Sequence, residues 1–188
     1  MTNEHFYYFW RNIGRSQKDR LRLERWGLGK QVFPASSRIN GFFGLTHRKD
    51  DGETFLMGQS VLKVHSLGNG RKHFPYDWYG VFPGSDAFAM PVEDSTDIQA
   101  FADTFSLCRR DQPGLSLVVP YPQAEIDNRA VVRAAIVHYF HPILSGDLIV
   151  RVRFGDTETI LRADTMLTAA VPLGKRTLRP YSQGDWRT

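Results

Sequence analysis

One cysteine, Cys108, is present in 188 residues. A lone thiol has no partner for an internal disulfide, and it excludes a zinc site built on several thiolates. Long apolar runs are missing as well. No stretch approaches the ~20 residues that a helix needs to cross a bilayer, so neither a transmembrane helix nor a membrane partner is expected. The first residues, MTNEHFYYFWRN, have no basic start, no aliphatic stretch and no small-residue cleavage site, and predict no secretory signal. With the scarcity of cysteine, this points to a reducing, cytoplasmic setting. Internal repeats and low-complexity segments are absent. The phosphate-loop spacing G-x-x-x-x-G-K-[ST] and the nucleophile elbow G-x-S-x-G do not occur, so Ser60 in MGQSVL and Ser116 in PGLSLV carry no hydrolase motif.

What is present describes a folded chain. Apolar residues make up 41% and charged residues 23%, which is enough to build a core and argues against disorder over most of the length. The net charge of +4 is unevenly placed. Residues 1–50 hold ten Lys and Arg against four Asp and Glu, whereas residues 51–188 hold fourteen against sixteen. Arginine, whose planar fork matches phosphate oxygens, supplies eighteen of the twenty-four cations. A basic first quarter fits a polyanion, a nucleotide or an acidic partner; it also fits a solvated helix face.

Periodicity divides the chain. Phe6, Phe9, Trp10 and Ile13 recur at helical spacing and predict a core-packed helix from Glu4 to Lys18, followed by a polar surface connection. Two extended runs, FFGLTHR and TFLMGQSVLKVHS, flank the turn Asp51-Gly52 and predict a hairpin. Residues 67–93, rich in Gly, Pro, Tyr and Asp, read as a loop. Ser95 is the expected N-cap of a helix whose buried stripe is Ile98, Phe101, Ala102 and Phe105. LSLVVPY reads as a short apolar strand. A helix from Asn128 to about His141, ending near Pro142, would bury Val132, Ala135, Ile136, Tyr139 and Phe140. A second hairpin turns at Gly155-Asp156, and the tail from Pro172 has no periodicity. The expected fold is α+β, an antiparallel sheet with helices on one face. It is organised as 1–125, a helix-plus-hairpin extension 126–171, and a flexible tail 172–188.

The candidate chemistry centres on Trp26-Gly27-Leu28-Gly29-Lys30. Two glycines one residue apart let the backbone approach a ligand closely, and successive amides can form an anion nest. A helical start after Lys30 would add free amide hydrogens, and Lys30, Arg25 and Arg15 would supply mobile cations. A plain glycine turn is the alternative. His138-x-x-His141 has no third ligand nearby and reads as a packed or capping pair, while His47 and His65 are isolated. Cys108 stands before Arg109-Arg110, which would favour a thiolate, and otherwise reads as a structural thiol. In GNGRKHFPYDWYGVF, Arg71, Lys72 and His73 alternate with Phe74, Tyr76, Trp78, Tyr79 and Phe82. That mixture suits a protein interface or a loop over the core, and it also suits stacking on nucleic acid.

The order of segments resembles the second half of a GHKL (Bergerat-fold) ATPase domain, as found in heat-shock chaperones, MutL and microrchidia proteins. Ile13-Gly14-Arg15-Ser16 is similar to the small-residue helix end of that family. Trp26 to Lys30 is similar to its G-x-x-G-x-G ATP lid, with Glu24 where the motif begins with glycine. The hairpin follows in order, and Gly114-Leu115-Ser116-Leu117-Val118-Val119 resembles the pocket-floor strand. The resemblance implies an ATP site in which Arg25, Gly27, Gly29 and Lys30 contact phosphates and Ser116 lines the pocket. The upstream helix with a metal-binding Asn and a catalytic Glu, and the Asp-x-Gly-x-Gly adenine motif, have no counterpart among the twenty-six residues before Gly27. The implied site is therefore half a site. ATP and Mg²⁺ would bind only once a protein partner or an N-terminal half completes it, and no catalytic residue or metal ligand is assigned here. The reading from a different class is a non-enzymatic module that binds protein or nucleic acid through arginines and the aromatic loop.

Overall fold

Period-two alternation of large apolar side chains builds most of this molecule. The computed structural model describes residues 31–171 except 63, 67, 69, 85–87 and 108–111, and the side chain of His65. The helix expected over 4–18, Arg25, Gly27, Gly29, Lys30, Cys108, Arg109, Arg110 and the tail 172–188 lie outside the described residues. The chain divides into two units, 1–123 and 124–188.

In the first unit, α1 (Val32–Ala35) precedes β1 (Gly41–His47) and β2 (Thr54–Val61). Two short strands, β3 (His65–Ser66) and β4 (Lys72–His73), pair with each other; β5 (Tyr76–Tyr79), α2 (Ser95–Thr104) and β6 (Gly114–Val118) follow. The four-stranded sheet runs β5-β2-β1-β6, and every pairing is antiparallel. This is an α+β fold. The first hairpin forms where the sequence predicts it: Gly52 adopts φ +73°, and the Arg48 amide donates to the Glu53 carbonyl at 2.9 Å. The Arg48 guanidinium pairs with Asp51 and lies 4.7 Å over the Phe55 ring.

Register decides which side chains share a face. Phe42 stands opposite Gln59 and Gly44 opposite Met57, while Leu45 stands between Leu56 and Ser116. One face therefore carries Phe42, Met57, Gln59, Trp78, Leu115 and Leu117, and the other carries Phe43, Leu45, Leu56 and Ser116. The ten-residue α2 lies on the second face, with Ile98 and Phe101 packed against Leu45, Leu56 and Val92. The single turn α1 touches the first face through Phe33, whose ring centroid is 5.4 Å from that of Phe42.

Several expectations need correction. Asp94, not Ser95, caps α2: its Oδ1 accepts from the amides of Thr96 and Asp97 at 2.9 and 3.0 Å, leaving Ser95 as the first helical residue. Asp94 wins because its extended backbone and ionised side chain suit an orphan amide pair. Phe105 sits at the C-cap and is half-buried at best, although its ring still meets Phe101 at 4.8 Å. The region 67–93 is more than a loop, because the Lys72–His73 and Tyr76–Tyr79 strands add backbone ladders to sheets. The strand from Gly114 is a sheet end rather than a buried run, with Leu115 51% exposed.

The second unit comprises α3 (Asn128–Leu144), the hairpin β7 (Val150–Phe154) and β8 (Thr157–Leu161), and α4 (Met166–Ala170). Val132, Ile136, Ile143, Val152, Leu161 and Met166 form its core. Asp127 caps α3 by accepting from the Ala130 amide at 2.7 Å. Pro142 does not end this helix; the chain continues to Leu144 with a kink at Tyr139. The ring of Pro142 removes one helical donor and crowds the turn before it, which accounts for the break. Val132, Ala135 and Ile136 pack in the core as expected, but rotation at the kink puts Tyr139 and Phe140 on the outside and Ile143 into the core. The α4 helix was not predicted, because five residues are too few to show a helical period.

Candidate functional site

The chain leaving Lys30 enters the described region at Gln31 and turns at once into α1. Two anchors hold this turn. Phe33 packs into the cluster of Phe42, Met57 and Ala89. Ser37, fully buried, donates its hydroxyl to the Pro120 carbonyl at 2.6 Å and accepts from the Ile39 amide at 3.2 Å. The Arg38 amide donates to Tyr121 and the Gln123 amide donates to Ser36, so the exit of α1 is stitched to the exit of β6. Removing the Ser37 hydroxyl leaves a buried carbonyl unpaired. Ser37→Ala is expected to cost about 1–3 kcal/mol in denaturant unfolding of the first unit.

The face that α1 touches is buried at Phe42, Met57 and Gln59 and opens toward β6. Leu115 and Leu117 are 51% and 36% exposed on it. Gln59 is only 8% exposed on the same face, and its Nε2 has no hydrogen-bond partner among the described residues. A buried amide without an acceptor is costly.

Ser116 lies elsewhere. The two-residue repeat of a strand turns its side chain to the opposite face, beside Leu45 and under α2. There it lines a cleft of about 350 Å³ with His47, Glu53, Thr54, Glu93, Ser95 and Gln99 at the rim and Leu45, Ile98 and Ala102 at the base. His47 Nδ1 and Thr54 Oγ1 are 2.8 Å apart. Among the described residues no Lys or Arg lines this cleft, and the first amides of α2 are already taken by Asp94. Of the described lining, a phosphate would meet two carboxylates and no Lys or Arg. Ser116 and α1, the described continuation of the glycine-lysine segment, are thus on opposite faces of one sheet. The sequence reading groups Ser116 with Arg25, Gly27, Gly29 and Lys30, which lie outside the described residues; along β6, Leu115 and Leu117 are the side chains on the face of α1.

The aromatic segment is largely on the surface. Phe74 is 85% exposed and Phe82 53%, while Tyr76 and Trp78 are half-buried in the sheet. Lys72 is also exposed, and Phe88, outside the segment noted from sequence, is 73% exposed. His138 and His141 are exposed on α3. Among the described residues no group of three His, Cys, Asp or Glu is arranged to hold a metal ion, and no helix is long and apolar enough to cross a membrane. Compared with family models, curated proteins and solved structures, the chain matches none.

Proposed function

We propose that this chain is the lid-and-sheet half of a GHKL-type ATP-binding domain, completed by a further polypeptide segment that covers Leu115 and Leu117 on the α1 face of β6. The observation that carries this reading is the exposed apolar side of β6 beside α1, where Leu115 and Leu117 are 51% and 36% exposed next to the buried cluster of Phe42 and Met57. Two exposed leucines continuing a buried apolar cluster are a surface that a further layer can cover. The occupant is the helical layer that would bring the adenine-reading Asp, the metal-binding Asn and the catalytic Glu. The glycine-lysine segment immediately precedes α1 in sequence, and its amides and Lys30 would supply the phosphate contacts. Arg25, Gly27, Gly29 and Lys30 keep the phosphate role. Ser116 is released from the pocket, and Leu115 and Leu117 take the floor.

Calorimetry with Mg-ATP tests this on the chain alone and on the chain joined to a segment supplying the Asn/Glu helix and the Asp-x-Gly-x-Gly turn. The joined form binds with a micromolar to millimolar constant and loses about tenfold or more when Lys30 becomes Ala, as expected for a charge-assisted phosphate contact. No binding by the joined form would end the reading.

A second reading, a protein-binding module, is favoured by the exposed rings of Phe74, Phe82 and Phe88, since single-chain surfaces seldom leave so many large aromatics in water. Self-association or partner capture that Phe74→Ala abolishes would support it. A salt-dependent shift of single-stranded DNA would instead assign those rings to nucleic acid.

A further inference from the structure

We infer that the cleft beneath α2 binds a small organic cation, an alkylammonium or guanidinium group on a short aliphatic stem. This site is separate from the nucleotide reading, because it opens on the other face of the sheet. Its volume of about 350 Å³ is at the small end for ligand cavities. At roughly 30 Å³ per water it holds about a dozen waters, or a ligand of similar heavy-atom count.

The lining specifies the chemistry. Leu45, Ile98 and Ala102 offer an apolar base for methylene groups. Glu53 and Glu93 stand at the rim, and among the described residues neither side chain has an ion-pair or hydrogen-bond partner. With no Lys or Arg among the described lining residues, the two carboxylates give that lining a negative charge. The helix end above it does not reverse that sign, because the Asp94 carboxylate already accepts from its first free amides. His47 and Thr54 engage each other and form a polar wall. An anion is repelled by this arrangement. A bare metal ion lacks a third ligand among the described residues. A cation with an apolar stem matches both the rim and the base. The same group can arrive as a free amine or as the side chain of a peptide lysine or arginine.

The test is an NMR titration of the full chain with agmatine, with an acetylated arginine-containing tripeptide, with n-hexanol as a neutral probe and with inorganic phosphate. Agmatine or the tripeptide is expected to shift the amides of His47, Gln99 and Ser116 with a constant of about 0.1–10 mM, in keeping with the binding energy available to so few atoms. The tighter of the two identifies the source, free amine or peptide side chain. Glu53→Gln and Glu93→Gln, both at exposed positions, each weaken binding about three- to tenfold, and Gln99→Trp, which fills the mouth, abolishes it. Leu117→Asp leaves it unchanged, so this result stands or falls apart from the nucleotide reading. Equal binding of n-hexanol, shifts of the same amides by phosphate, undiminished binding by both glutamine variants, or no shift from either cation would each overturn the assignment.

Discussion

Phe42→Ala is expected to destabilise the first unit by about 3–5 kcal/mol, the usual cost of emptying a filled aromatic site in a core. Phe42 is 1% exposed and centres the cluster of Met57 and Ala89, with Phe33, Trp78 and Val119 packed around it. Two effects combine. The cavity forfeits the burial of the ring, and α1 loses the side chain against which Phe33 packs at 5.4 Å. Urea unfolding followed by tryptophan fluorescence reads the first effect. Faster amide exchange at Ser36 and Ser37, whose amides donate to carbonyls of α1, reads the second. A loss below ~1 kcal/mol would mean that α1 is held by Ser37 alone and not by the sheet face. The second unit has its own core, so its local exchange rates are expected to stay the same.

Gly80→Val is the other large effect, about 2–3 kcal/mol, because overpacking is resisted when the obstacle is backbone. A Cβ at Gly80 would stand 2.4 Å from the Met90 carbonyl oxygen. That carbonyl accepts from the Val81 amide at 2.8 Å, and the Met90 amide donates back at 2.7 Å. Beside it, Val92 pairs with Leu56 and closes the outer side of β2. A side chain at residue 80 pushes this return strand away. Lower denaturant midpoint and rapid exchange of the Val81 and Met90 amides are the expected readouts. Gly58 makes a useful comparison. There the added Cβ would meet the Phe43 ring at 2.6 Å, a side chain and not backbone, but one packed among Tyr79, Phe101 and Phe105, so Gly58→Ala is also expected to destabilise.

How much of this was legible beforehand follows from what each signal measures. The first hairpin and the Gly155 turn were readable, because Asp-Gly and Gly-Asp between alternating runs fix both turn and register. Tertiary context was not readable. Tyr139 and Phe140 fit a helical stripe, yet the kink before Pro142 rotates them outward. In the region 67–93, turn residues concealed a strand whose hydrogen bonds are made to a segment fifteen or more residues away.

The site shows the same division. Ser116 was chosen for its place in a motif, and position in sequence says nothing about which face of a strand a residue takes. One residue of alternation separates the cleft under α2 from the open face beside α1. The signal that could have distinguished them was present in Leu115 and Leu117, two apolar neighbours flanking a small polar residue on a strand. The cleft was missed entirely. Glu53, Glu93, Gln99 and Ser116 are scattered over more than sixty residues and meet only through the sheet and α2.

The most direct measurement compares the affinity for Mg-ATP of two variants in the completed assembly, Leu117→Asp and Ser116→Ala. Leu117→Asp puts a charge on the face carrying α1, and nucleotide binding is expected to fall at least tenfold, whereas Ser116→Ala, on the opposite face, should match the unsubstituted protein. If Ser116→Ala abolishes binding while Leu117→Asp leaves it intact, the nucleotide side of the sheet has been placed on the wrong face.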